Sequence, residues 1–187
     1  TVKFYKNNAS GLHATAVSPS GKTQYFYTPE HNRQVAREKW QRLRAFSSAV
    51  PTIRERFRTQ ATPHQRLVMQ LMDECGMRVG AETATSAIGA TGITRSHLRG
   101  LRLNFVGKSA KENTCDVSHE LARSIRALRA GDANLHRKVA ALMKPFTPKD
   151  FRMYRANVEY VHARRSSSNH AEAVRQAAVW SSARMTV

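Results

Sequence analysis

The hydrophobic positions change period twice along the chain. Between residues 1 and 28 they alternate, in Val2-Lys3-Phe4-Tyr5, Leu12-His13-Ala14-Thr15-Ala16-Val17 and Lys22-Thr23-Gln24-Tyr25-Phe26-Tyr27. Ser18-Pro19-Ser20-Gly21 makes a turn between the last two runs, and the pattern predicts a β hairpin too small to stand alone. From Thr28-Pro29 the period becomes helical. Thr28 reads as an N-cap with Pro29 and Glu30 in the first turn. Ala36, Trp40, Leu43 and Val50 then share a face, with Arg33, Arg37 and Arg44 opposite. Another helix, carrying Ile53 and Phe57, is expected to begin near Val50-Pro51, because proline breaks an interior hydrogen bond.

Thr62-Pro63-His64-Gln65 is a capping box that opens a helix on Leu67, Leu71 and Cys75, stopped by Gly76. Residues 80–95 are small and rich in Gly, Ala and Thr, consistent with either close packing or a loop. Leu101, Leu103 and Phe105 alternate with polar residues, and Gly107–Asn113 can turn the chain back through Thr114-Cys115-Asp116-Val117. Further helices are expected on Leu121, Ile125 and Leu128 up to Gly131, and on Leu135, Val139 and Leu142 up to Pro145. The last two start at Thr147-Pro148-Lys149-Asp150 and at Asn169-His170-Ala171-Glu172, the final one Ala-rich. The fold class is therefore mainly α with small β elements. Residues 1–28 form the hairpin, and 29–187 form a mostly helical core with a second hairpin near 101–117.

Charge adds a partner to this picture. The 187 residues carry 31 Lys+Arg against 13 Asp+Glu, a formal charge of +18, with 41% hydrophobic residues. That hydrophobic share suits a packed core, so the charge points to a polyanion, with nucleic acid first. Arginine outnumbers lysine by 22 to 9, and its planar fork can grip phosphate through two hydrogen bonds. Nine basic and two acidic residues lie between Arg33 and Arg66. No apolar run is long enough for a membrane span, and no signal peptide is visible. The first residue is not Met, which suggests a processed or trimmed chain. Cys75 and Cys115 match neither a disulfide framework nor a metal spacing, and are expected to be reduced in the core of an intracellular protein. Nucleus, nucleoid and mitochondrion are not distinguished.

Candidate chemistry is cationic. The eight histidines show no HExxH pairing, no phosphate-binding GK[ST] loop is present, and Asp73-Glu74 reads as a helix-surface pair. No metal and no cofactor are expected. Phosphoryl transfer without a metal needs cations on the non-bridging oxygens, a proton donor for the leaving oxygen and a nucleophile. Arg78 follows a capped helix between two glycines, Lys108 lies at a hairpin tip, and Arg152 lies early in a capped helix beside aromatic residues. Arg33, Arg37, Arg44, Lys111, Lys149 and Arg155 are candidates for phosphate contacts. In so basic a chain, any one of these cations also has an ordinary solvated role.

Several ordered segments resemble the type IB DNA topoisomerases, especially the compact bacterial and viral branch. They are Gly11–Ala16, Ser20–Tyr27, Arg42–Phe46, Ala49–Arg54, Met77–Gly80, Thr91–Leu98, Phe105–Glu112 and Phe146–Tyr154. The resemblance covers nearly the whole chain and implies a catalytic core like that of these enzymes and the tyrosine recombinases. Such enzymes cut one DNA strand through a 3′-phosphotyrosine and reseal it without ATP or metal. It would make Arg78 and Arg152 the catalytic arginines and Lys108 the general acid. The family pattern then calls for a histidine and a nucleophilic tyrosine, but no tyrosine follows Tyr160. Tyr154 fills a packing slot, Tyr160 is expected to face the core, and His162 and His170 lie outside the expected context. Ala81 stands where the family usually has Asn, and the stretch from Val117 to Thr147 is short. Two expectations follow. One is a catalytically incomplete domain serving as a structural component of a nucleic-acid-containing, ribosome-type particle, with other protein subunits as possible partners. The other is the core of an active, ATP-independent topoisomerase whose tyrosine lies on a missing tail or a second subunit. DNA and RNA are not distinguished.

Overall fold

The computed structural model describes residues 1–6, 9–80, 87–107, 110–128, 134–167 and 169–180, the side chains of 178–180 excepted. Expectations placed on Ala81, Lys108 and Gly131 lie outside the described residues. The backbone divides into two compact units, Thr1–Ala45 and Phe46–Val187. The division falls within the first helix, α1 (Pro29–Gln60).

In the first unit, β1 (Val2–Phe4), β2 (Leu12–Val17) and β3 (Thr23–Tyr27) form an antiparallel sheet in that order. The expected hairpin is β2–β3, and β1 adds a third strand. Phe4 pairs with Ala14 and Ala14 with Phe26, so the small alanine lies between two aromatic neighbours on one face. Ser18 N–H donates to Lys22 O (2.9 Å) and Gly21 N–H to Ser18 O (2.9 Å), with Gly21 at φ +76°. Thr28 Oγ1 accepts from His31 N–H (3.2 Å) and caps α1.

The second unit holds the later turns of α1 with α2 (Pro63–Cys75), α3 (His119–Arg126), α4 (Leu135–Leu142), α5 (Pro148–Ser166) and α6 (His170–Trp180). It also holds the antiparallel sheet of β4 (Leu98–Arg99), β5 (Arg102–Val106) and β6 (Glu112–Asp116). Phe46, Val50, Ile53 and Phe57 form a buried stripe along α1 and share one core with Leu71 and Met72 of α2, Leu121 and Ile125 of α3, Val139 of α4 and Phe151 of α5. Phe46 meets the rings of Phe146, Phe151 and Tyr154 edge-on, at centroid distances of 5.1, 6.1 and 5.7 Å. Along α5 and α6, the small buried residues Ala163, Ala173 and Ala177 allow close packing of the two helices.

Three local expectations are corrected. Pro51 lies inside a continuous α1; burial of the stripe on both sides of it outweighs the hydrogen bond it removes. The apolar face expected from Ala36 to Val50 is only partly buried, since Leu43 and Val50 are buried but Ala36 and Trp40 are exposed. The cysteines are not reduced: Cys75 is bonded to Cys115, with Cα atoms 5.7 Å apart. Spacing could not show this, because strand β6 brings together residues 40 positions apart. Among the described residues, no helix is long and apolar enough to cross a membrane.

Candidate functional site

The capping box expected at Thr62 is formed and fixes the start of α2. Thr62 Oγ1 accepts from Gln65 N–H (3.3 Å), and Gln65 Oε1 accepts from Thr62 N–H (2.8 Å). Its end is fixed by Gly76, whose φ of +58° is the left-handed cap that glycine adopts without Cβ strain. Four consecutive residues there reach five partners. The Asp73 carboxylate pairs with Arg155 of α5 (2.7 Å) and Arg54 of α1 (3.1 Å). Glu74 accepts from both the N–H (2.8 Å) and the hydroxyl (2.9 Å) of Ser118, the N-cap of α3. Cys75 is bonded to β6. The carbonyl of Gly76 accepts from Arg152 Nε (2.8 Å). Asp73 and Glu74 are thus not a free surface pair, as their sequence position had suggested; both are half-buried and hold other elements.

Arg78 follows two residues later and is exposed. Its backbone is latched from the far side of residues 81–86: Ala90 N–H donates to Arg78 O (2.7 Å) and Thr91 N–H to Val79 O (3.0 Å). A Cβ on Gly89 would overlap Gly80 Cα, so the small residues permit close backbone approach. Of the two possibilities left open for residues 80–95, close packing therefore holds around Gly80 and Gly89. The same strip continues to the second hairpin, where Ile88 N–H donates to Val106 O (2.7 Å). At the hairpin base Gly107 N–H and Asn113 Nδ2 both donate to Lys111 O (2.7 Å each). Lys108 itself lies outside the described residues.

Arg152 comes from α5, whose start is a second capping box. Asp150 Oδ2 accepts from Thr147 N–H (2.8 Å), and Asp150 N–H donates to Thr147 Oγ1 (3.3 Å). This places Arg152 one turn in, half-buried, with Nε committed to Gly76 O. Burial first, and then repulsion from Arg78, push its pKa below the ordinary arginine value. Arginine nevertheless stays charged. Two cations are thus held within electrostatic range, and among the described residues no carboxylate pairs with either.

The other cationic candidates divide. Arg33 pairs with Glu30 (2.6 Å) on the exposed surface of α1, where Arg37 and Arg44 are exposed too. Lys111 and Lys149 are exposed. Arg155 is committed to Asp73 and to Glu159 (2.9 Å). Tyr154 packs on Phe46. Tyr160, half-buried, shares a hydrogen bond with His170 Nδ1 (2.8 Å). The Asp73–Arg155–Glu159 network was missed in sequence; only the i, i+4 spacing of Arg155 and Glu159 could have signalled part of it. Among the described residues, no cluster of His, Cys, Asp or Glu could hold a metal ion.

Comparison with known proteins places the chain in a family. Residues 29–186 match the family model described as eukaryotic DNA topoisomerase I, catalytic core. The chain belongs to the type IB DNA topoisomerase family. It is also 23% identical over 193 aligned positions to DNA topoisomerase 1B of Acanthamoeba polyphaga mimivirus, covering 82% of this chain and 57% of that protein. The chain therefore spans little more than half the length of this curated relative. Mainly helical architecture with two small sheets is the fold of this topoisomerase core.

Proposed function

We propose that this chain binds the phosphodiester backbone of DNA at the last turn of α2, and that it does not itself supply a cutting nucleophile. One observation carries the reading: Arg152 is half-buried, fixed by Gly76 O and close enough to Arg78 to feel its charge, and among the described residues neither arginine pairs with a carboxylate. An anion relieves that repulsion, and a phosphate with two non-bridging oxygens fits two guanidinium forks. Arg152 acts from a half-buried position, where its charge is poorly screened. Arg78 meets the backbone from the exposed side, and Lys108, which follows the latched end of β5, is the third cation. The exposed cations Arg33, Arg37, Arg44, Lys111 and Lys149 supply the long-range field that gathers the polyanion, and Arg155 aligns α5.

The described tyrosines of the second unit have other tasks, Tyr154 in the aromatic core and Tyr160 with His170. With both tyrosines so engaged, the chain acts as a structural grip in a nucleic-acid assembly such as a ribonucleoprotein particle. A second reading has one observation in its favour, the greater length of the viral relative. In it the same cations activate a phosphodiester for a tyrosine carried on another segment or subunit.

Both readings require binding to a short DNA duplex with a steep salt dependence, each lost phosphate contact lowering the slope of log K against log salt by about 0.9. R78A and R152A each reduce slope and affinity. Binding indifferent to salt, or unchanged in both variants, would sink the phosphate site. Relaxation of supercoiled plasmid in EDTA, with the tyrosine-bearing segment or subunit added to the chain, separates the readings: under the grip reading the plasmid stays supercoiled, and relaxation overturns it.

A further inference from the structure

A groove of about 630 Å³ lies between Ile88, the turn at Ser96-His97 and the second hairpin, within the size range of small-molecule sites. Its apolar lining comes from Ile88, Phe105 and Val106. Three polar side chains line it too, and the protein has already fixed one hydrogen-bonding end of each. His97 Nδ1 accepts from Thr94 N–H (2.9 Å), so the ring proton sits on Nε2, which remains as a donor. Asn104 Oδ1 accepts from Thr114 Oγ1 (3.1 Å), which leaves the amide Nδ2 as a second donor. Asn113 is 8% exposed and gives its Nδ2 to Lys111 O (2.7 Å). Its Oδ1, an acceptor, has no partner among the described residues. A Cβ on Gly107 would overlap the Asn113 amide, so the glycine makes room for it. Arg99 and Glu112 bring opposite charges to the lining, and neither enters an ion pair among the described residues. In a chain of +18, this recess is polar but balanced in charge.

We infer that this groove holds one unpaired nucleobase of a bound DNA strand. A base is planar and neutral, with apolar faces and an edge of donors and acceptors. Ile88, Phe105 and Val106 suit its faces, while His97 Nε2, Asn104 Nδ2 and Asn113 Oδ1 offer its edge two donors and an acceptor. A phosphate group would meet the Glu112 carboxylate and could not use Asn113 Oδ1. A wholly apolar ligand would leave all three polar groups unpaired. The groove also lies next to the backbone strip that latches Arg78. Ile88 N–H donates to Val106 O, and Ala90 N–H, two residues on, donates to Arg78 O. Two residues span at most about 7 Å of chain. The inference rests on the DNA-binding reading above, in which Arg78 meets the backbone of the strand. Pairing and stacking in a duplex hide the base, and the cost of exposing it is least where it is already unpaired. The groove therefore favours DNA with an unpaired base over a fully paired duplex.

The test uses the full chain and anisotropy at fixed salt with three fluorescein-labelled duplexes. One is fully paired, one carries a single bulged adenine, and one carries an abasic residue in place of that adenine. The abasic bulge keeps the deformability of the bulge without its base. The bulged adenine should bind at least about fivefold more tightly than the abasic bulge, the scale of one net hydrogen bond. N104A and N113L should each bring that ratio toward one. Asn104 is exposed, so N104A keeps the comparison if circular dichroism shows N113L unfolded. A ratio of one in the wild type, or a ratio unchanged in every folded variant, overturns the groove. If the ratio is one but R78A and R152A still weaken binding to the paired duplex, the groove fails and the phosphate site stands. If the ratio holds while neither arginine variant weakens binding, the phosphate site fails and the groove stands. Absence of binding to all three duplexes overturns both.

Discussion

Arg33 in the first unit and Arg152 in the second show two ways of displaying a cation. Arg33 stands on a solvated helix face, 67% exposed, and its partner is Glu30 one turn away. Such a pair contributes little and is weakened by salt. Arg152 is half-buried, with its Nε fixed by Gly76 O and the charge of Arg78 within range. The units around them differ in the same sense. Phe46 in the second is fully buried among three aromatic rings, while Phe4 in the first is 71% exposed. A charge on an exposed face contributes to a field, whereas a charge fixed by a core can select a geometry. The difference lies in the supporting structure rather than in the residue type.

The sharpest way to break this contrast is to attack the support. F46A should destabilise the protein by about 3–5 kcal/mol in denaturant melts, whereas F4A should change stability by less than about 1 kcal/mol. Comparable effects of the two would remove the distinction between the units. Next in size are the cations. R152A should weaken duplex binding by about tenfold, near 1.4 kcal/mol, and R33A by no more than about twofold. Equal losses would mean that Arg152 is only another surface charge.

A smaller effect is expected from G76A, because a Cβ at φ +58° costs about 1 kcal/mol. The variant should lose thermal stability and also some binding, since the carbonyl that holds Arg152 moves with the cap. Loss of stability with unchanged binding would separate the cap from the site. Smallest is the response to acid. Hydrogen bonds within the Glu30 backbone and from Arg33 hold the Glu30 carboxyl below its ordinary range, and Arg58 and Arg175 do the same for Glu55 and Glu172. A carboxyl depressed in the folded state adds stability above its unfolded pKa and loses it as pH falls through the folded value. All three are fully exposed, so thermal melts should show only a slight loss below about pH 4, abolished in high salt. A large loss there would place a buried carboxylate in control instead.

Capping boxes were the most legible part of the fold. Thr62-Pro63-His64-Gln65 and Thr147-Pro148-Lys149-Asp150 start α2 and α5 as expected, because a cap depends on atoms three residues apart. Pro51 was misread, since a local penalty was weighed without the buried stripe that overrides it. Arg78 and Arg152 were identifiable as candidates from motif and capped position. The bond to Gly76 O was not, because its two ends lie 76 residues apart. Asp73 and Glu74 looked like surface charges for the same reason, as their partners come from α1, α3 and α5.

By itself the sequence determined the short-range features of this protein: helix starts and stops, strand alternation, an arginine-rich excess of +18, and ordered motifs of one enzyme family. These depend on neighbours a few residues away, or on totals that need no geometry. Only the tertiary structure decided which cations are half-buried and fixed and which stand exposed, and that Cys75 meets Cys115. Those outcomes depend on the packing that brings distant segments to the end of α2, where Gly76 O holds Arg152 and Cys75 meets β6.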